Sequence, residues 1–157
     1  DLRAATKRGS IAAMEGAEVH ADWLATGASV PVDPNVSGPL SRAAMLPVPV
    51  YIRALRRRRA LAAAMDERLA SADVLALPTT PVTAPTIVSM AEDAELRDRV
   101  EGLLLRNTQV ANQFDLCAIS LPMPDMALPA GLMLVARNGH DRRLFRIAAA
   151  VEKLFKS

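Results

Sequence analysis

Residues 72–81 read Ala72-Asp73-Val74-Leu75-Ala76-Leu77-Pro78-Thr79-Thr80-Pro81, and this passage decides the fold. Val74-Leu75-Ala76-Leu77 is an apolar run of strand length, and Pro78 stops it because proline has no N–H with which to extend a ladder. The loop from Pro78 to Pro85 leaves the carboxyl end of that strand, where α/β proteins tend to place their sites. Its prolines reduce the entropy lost when the loop orders. Two further runs have the same length and similar boundaries: Ala118-Ile119-Ser120-Leu121 before Pro122, and Gly131-Leu132-Met133-Leu134-Val135 before Asn138-Gly139.

Around these strands the spacing predicts four helices. The first runs from about Gly9 to Ala25, with Ile11, Met14, Ala17, Ala21 and Leu24 on one face. The second follows Pro47 and Pro49, which suit a helix start, and aligns Tyr51, Leu55, Ala62, Met65 and Leu69. The third, about Ala91 to Phe114, groups Leu96, Val100, Leu103, Leu104, Ala111 and Phe114. It opens on Glu92, Asp93 and Glu95, which favour the positive end of its dipole. The fourth, about Asp141 to Phe155, has Asp141 as its expected N-cap and Leu144, Ile147, Ala148, Val151, Leu154 and Phe155 as its apolar stripe. Residues 28–39 read as irregular, because Gly, Pro, Asn and Ser follow one another in turn-forming combinations.

The fold class is therefore α/β: about three strands in a mixed sheet with about four main helices, in a single partial domain over residues 1–157. Strand, helix, strand predicts a parallel crossover from the first run to the second. A loose antiparallel hairpin is then expected between the second and third. Three strands leave at least one sheet edge to be covered by something outside the chain, or exposed.

Composition narrows the functional classes. The 157 residues are 51% hydrophobic but only 3% aromatic, so Ala, Leu and Val fill the core. A net charge of +2 and a single basic run, Arg56 to Arg59 preceded by Arg53, lack the wide stripe and interleaved aromatics of a nucleic-acid surface. Nucleic acid is not expected as a partner. One cysteine, Cys117, rules out a disulfide within the chain. No apolar run approaches the ~20 residues of a membrane span, so no membrane is expected and the cytoplasm is the expected location. The opening Asp1-Leu2-Arg3, without an initiator Met and already patterned like a helix, is read as the start of a fragment or processed product.

Searched for chemistry, the chain supplies few parts. Its serines are Ser10, Ser29, Ser37, Ser41, Ser71, Ser89, Ser120 and Ser157, none in a Gly-Gly-Ser-Ser context, and its lysines are Lys7, Lys153 and Lys156. Cys117 lies in an apolar strand pattern, where a thiol is ordinarily inert, which argues against pairing it with His20 or His140 as nucleophile and base. Glu15 and Glu18, three apart, read as solvated helix acids. No His pair has metal-ligand spacing, no glycine-rich phosphate loop is present, and neither metal nor cofactor is expected.

Taken in order, several segments resemble amidase-signature enzymes. They are Tyr51-Ile-Arg-Ala-Leu-Arg-Arg-Arg58, then Ala72 through Pro81 with Ala84-Pro85, then Thr108-x-x-x-Asn112. Ala118-Ile119-Ser120-Leu121-Pro122, Leu128-Pro129-Ala130-Gly131-Leu132 and Gly139-His140-Asp141 follow. Glu15 and His20 fit a helix seen upstream of these in the family. Many members carry Gly and Pro three and five residues after the Asn; this chain has Asp115 and Cys117, a version similar to the allophanate-hydrolase side of the family.

The resemblance implies the C-terminal part of an α/β/α sandwich in an enzyme that hydrolyses carboxylic amides to acid and ammonia. Such enzymes use a Ser nucleophile, a second Ser and a Lys base, because a neutral hydroxyl attacks poorly until its proton is relayed away. Those residues are expected upstream, so no catalytic residue is assigned here and the chain alone is expected to be inactive. Thr79, Thr80 and Asn112 are the expected substrate-pocket residues. A small amide is the expected substrate, with the upstream part of the protein or a second copy covering the sheet edge. Two alternatives stand beside this: a non-catalytic amidase-like binding or assembly module, and part of the amidase-like subunit of a tRNA-dependent amidotransferase.

Overall fold

Gly131–Ala136 forms β3 of the computed structural model, which describes residues 10–27 and 31–155. It lies between β1 (Leu75–Pro78) and β2 (Cys117–Pro122). Leu75 and Ala118 both stand opposite Val135, and Leu77 and Ser120 opposite Met133. Side chains alternate along a strand, so Met133 and Val135 occupy one face and Leu132, Leu134 and Ala136 the other. Residues 133–136 are all buried, Val135 completely. An uninterrupted apolar run is what a strand covered on both faces requires.

The covers are two helices. On one face, α7 (Asp141–Leu154) sets Leu144 and Ala148 against Leu121, Leu134 and Ala136, with Ile147 and Val151 alongside. On the other, Ala111 of α6 (Ala94–Phe114) packs with Met133 and Val135. The layering is helix, sheet, helix, as the α/β/α expectation requires. One detail is corrected: the sheet is antiparallel at both pairings rather than mixed. β1 and β2, each antiparallel to β3, run parallel to one another, so the crossover between them joins parallel strands as expected, with β3 lying between the two. The doubly buried centre suits the strand with no polar residue. β2 exposes Ala118, Ser120 and Pro122 and so suits an edge. The hairpin from β2 to β3 is as expected.

Helix boundaries follow capping chemistry that periodicity alone does not reveal. The helix expected from about Ala91 begins instead at Ala94 as α6, and a separate short helix, α5 (Ile87–Glu92), precedes it, with Asp93 extended between them. Its Oδ1 accepts from the Leu96 amide at 2.8 Å, so Asp93 is an N-cap rather than a helical acid. The N-cap position of α7 is held by His140 without a side-chain bond, which corrects Asp141; that residue is already in the first turn, where its charge favours the dipole. At its far end α6 closes on Asp115 in the left-handed region, φ 59. This is a conformation that glycine adopts freely and aspartate tolerates. The Asp115 Oδ2 accepts from Asn138 Nδ2 at 2.9 Å.

The chain divides into two compact units, residues 1–60 and 61–157, the second holding the sheet. In the first, α1 (Ile11–Val19) begins at Ser10, whose Oγ accepts from the Ala13 amide at 3.0 Å, and breaks at His20 before α2 (Ala21–Thr26). Then come α3 (Pro34–Ala44) and the start of α4 (Val48–Arg68). α1 packs on α3, burying Ala17 and Ala43. The irregular stretch expected through residue 39 is corrected from Pro34 onward. Asp33 Oδ1 caps the Asn35 amide at 2.7 Å and Pro34 fits the first turn, so the same residue types start a helix. Lys7, Gly9, residues 28–30 (with Ser29), Lys156 and Ser157 lie outside the described residues.

Within the second unit, Arg137 Nε and Nη2 donate to Asp66 Oδ1 and Oδ2 at 2.7 and 2.6 Å, tying the end of α4 to the turn after β3. Arg143 Nη2 donates likewise to Asp73 Oδ1. The Arg137 bonds hold the Asp66 carboxyl below its ordinary value, against a smaller opposing effect of burial. A depressed carboxyl stabilises the fold above its unfolded value of about 3.9, and that contribution disappears as pH falls through the folded value. The stability difference between wild type and Asp66→Asn is thus expected to be largest at neutral pH and to shrink below about pH 4, as read by urea unfolding across that range.

Candidate functional site

The carboxyl ends of β1 and β2 and the start of β3 meet at one end of the sheet. There the Thr79 amide donates to the Gly131 carbonyl at 2.8 Å, continuing the ladder one residue past Pro78. Thr79 Oγ1 and Ser120 Oγ share a hydrogen bond of 2.5 Å. Gly131 sits against both: a Cβ built there would fall 2.5 Å from Ser120 Oγ and 2.6 Å from Thr79 Oγ1. The absence of a side chain at residue 131 is what lets the two hydroxyls meet across β3.

Behind this cluster the Pro78 carbonyl accepts from Asn107 Nδ2 at 2.7 Å. Asn107 is the one buried polar residue among the described residues, and Arg106 Nε donates to its Oδ1 at 3.2 Å, which fixes the amide's orientation. Thr80 Oγ1 donates to the Val82 carbonyl at 3.0 Å, holding the loop folded on itself. The loop from Pro78 to Pro85 is thereby tied at its root by a helix amide and at its first residue by a hydroxyl pair.

Of the expected pocket residues, Thr79 and Thr80 stand at this strand end. Asn112 is exposed near the end of α6. Sequence reasoning missed Asn107, Ser120 and Gly131. Asn107 left a signal: it falls on the stripe of Val100, Leu103, Leu104 and Ala111, where a polar residue on a buried face needs a partner. Ser120 points outward in the alternation of β2, but nothing in its own neighbourhood announces a partner 41 residues away.

The cluster offers hydroxyls and fixed backbone groups, and among the described residues no lysine, histidine or carboxylate is hydrogen-bonded to either hydroxyl. Cys117 donates to the Ala136 and Arg137 carbonyls at 3.5 and 3.2 Å. Burial first, then the nearby Asp141 charge, raises its thiol, so the nucleophilic thiolate is disfavoured. His20 lies in the first unit, its ring 5.4 Å from that of Trp23. Among the described residues no group of His, Cys, Asp and Glu is placed to hold a metal, and no helix is long and apolar enough to cross a membrane.

Compared with known proteins, residues 3–145 match the family model described as Amidase. A fatty acid amide hydrolase of Oryza sativa subsp. indica is 35% identical over 107 residues, 66% of this chain and 18% of that protein. The A subunit of the glutamyl-tRNA(Gln) amidotransferase of Thermotoga maritima is 34% identical over 105 residues, 66% of this chain and 21% of its own length. Among solved structures, an amidase superposes with a TM-score of 0.76 at 23% identity, over 91% of this chain and 33% of that one. Kluyveromyces lactis allophanate hydrolase gives a TM-score of 0.73 at 24% identity, over 88% of this chain and 22% of that one. The chain spans about a fifth of the curated relatives' length.

Proposed function

Because this chain belongs to the amidase family, we propose that it is the C-terminal, pocket-shaping and sheet-completing part of an enzyme that hydrolyses carboxylic amides to acid and ammonia. The observation that carries the reading is the strand-end arrangement. A proline-stiffened loop presents hydroxyls at one end of the sheet, tied down by Asn107 and Ser120, with no base among the described residues bonded to them to activate a nucleophile. Such a region orients a substrate and leaves attack to groups supplied from elsewhere.

In this reading residues 1–157 are one partial domain of a cytoplasmic protein, and the Ser-Ser-Lys residues lie upstream. Thr79 and Thr80 shape the pocket for a small amide and Asn112 borders it. An upstream segment or a second copy covers an edge strand of the sheet, and no cofactor or nucleic acid takes part. The 157-residue chain alone is expected to release ammonia from a panel of linear amides no faster than buffer does. Hydrolysis well above that background by the isolated chain overturns the assignment of the catalytic residues to another region.

A second reading has its own support. The 34% identity to the A subunit of an amidotransferase equals, within a point, that to the amide hydrolase, so the parent protein is alternatively the amidase-like subunit of a tRNA-dependent amidotransferase. Co-purification of the full-length protein with further subunits separates the two.

A further inference from the structure

The first unit carries a cleft of about 800 Å³, walled by α1, α2, the end of α3 and the start of α4. This is within the usual range for small-molecule sites, about 300–1,000 Å³. Its surface is mostly apolar, with Leu24, Ala43 and Leu46 among the lining residues. Val19 and Val48, which also line it, are 77% and 69% exposed. Large apolar side chains left in water around a concavity are the signature of a site that something apolar covers.

The ionisable groups of the lining are Glu15, Glu18 and Tyr51; among the described residues no lysine, arginine or histidine belongs to it. Tyr51 donates its hydroxyl to Glu15 Oε1 at 2.8 Å. Glu18 has no hydrogen-bond or ion-pair partner among the described residues. Being three apart on α1, the two carboxylates face the same side of the helix. Their position sharpens the imbalance. Glu18 sits in the last turn of α1, at the negative end of the helix dipole, and that turn holds no basic residue. Two carboxylates and the helix terminus therefore add to one negative potential beside an apolar wall.

We infer that this cleft binds a small amphiphilic cation, a primary ammonium on an apolar body, with Glu15 and Glu18 receiving the ammonium and the apolar wall receiving the body. An anion would meet both carboxylates with no cation among the described lining residues beside them. A wholly apolar ligand would leave the charge where it is. Only a cation relieves the like-charge pair while covering Val19 and Val48. The inference is independent of the amide-hydrolase reading, since it concerns residues of the first unit and needs no turnover.

The test uses three probes with one tail, n-octylammonium, octan-1-ol and octanoate, titrated below their aggregation limits into the ¹⁵N-labelled 157-residue chain. Octylammonium is expected to shift the amides of residues 14–25 and 43–51 saturably. It should bind about five- to tenfold more tightly than octanol, as two partly exposed charge pairs imply, with octanoate the weakest. The preference should fall toward unity in 0.5 M salt. The double variant Glu15→Gln, Glu18→Gln is expected to bind octylammonium and octanol alike. Ala44→Trp, which intrudes on the cleft from an exposed lining position, should weaken all three. Equal or tighter binding of octanoate, unchanged charge preference in the double variant, or shifts confined to other residues would each overturn the proposal. The glutamine variant conserves shape, so the proposal stays falsifiable even where the tryptophan variant does not fold.

Discussion

Val135→Asp is expected to abolish cooperative folding of the second unit. Val135 is the one fully enclosed large side chain among the described residues, 0% exposed, standing between Leu75 and Ala118 in the ladder and beneath Ala111 of α6. A carboxylate there finds no donor, and burying it unpaired costs about 4–5 kcal/mol or more even after its pKa adjusts. A domain's whole stability is only about 5–15 kcal/mol. Val135→Ala removes apolar contact alone and is expected to cost about 2 kcal/mol, leaving a two-state transition at lower urea. The pair separates charge burial from packing. Loss of amide shift dispersion for residues 61–155 in the aspartate variant, with it retained in the alanine variant, is the expected result. An aspartate variant with a wild-type midpoint would show that β3 is not the centre of its sheet.

The second large effect concerns Asn107. Asn107→Leu preserves volume but removes the donor to the Pro78 carbonyl, and a buried acceptor left without a donor costs about 1–3 kcal/mol. Asn107→Asp is the sharper probe. At pH 7 it sets a charged acceptor against the carbonyl oxygen, whereas the protonated acid regains a donor. The loss relative to wild type is therefore expected to be greater at pH 7 than at pH 4, measured as urea midpoints at both. Hydrogen exchange of the Thr79 amide, which bonds to Gly131, should accelerate in step, since it reports the closure of the strand end. Asn112 lies exposed near the end of the same helix.

These two asparagines mark how far the sequence could be read. The strands at 75–78, 117–122 and 131–136 and the amphipathic α7 were legible because each rests on a local pattern: an apolar run closed by proline or by Asn138-Gly139, or a stripe at helical spacing. Strand order was not legible, because three short apolar runs look alike until their burial is known on both faces. The one cue was that Gly131–Ala136 contains no polar residue while Ala118-Ile119-Ser120-Leu121 alternates. Asp93 and Asp33 were read as a helical acid and a loop residue because capping is decided by one dihedral, not by composition. At the candidate site, Thr79 and Thr80 were found from the loop that carries them. Asn107, Ser120 and Gly131 are joined to that loop only through pairings distant in the chain. The motif ending in Asn112 is local and visible, whereas the asparagine on the buried stripe declares itself only through its partner.

The place of β3 has a consequence for how the protein is made. Of the described strands the last to be synthesised is the middle one, so β1 and β2 lack the partner they share, β3, until residues 131–136 have left the ribosome. Up to that moment Leu75, Leu77, Ile119 and Leu121 can only collapse loosely, and α6 has no completed face to cover. The segment from residue 61 to Pro122 should therefore remain protease-sensitive until Gly131–Ala136 has emerged and gain resistance abruptly thereafter, since non-local pairing must wait for the segment that completes it. A chain stalled before Gly131 and one released after the final helix should differ in this way although most of their sequence is shared.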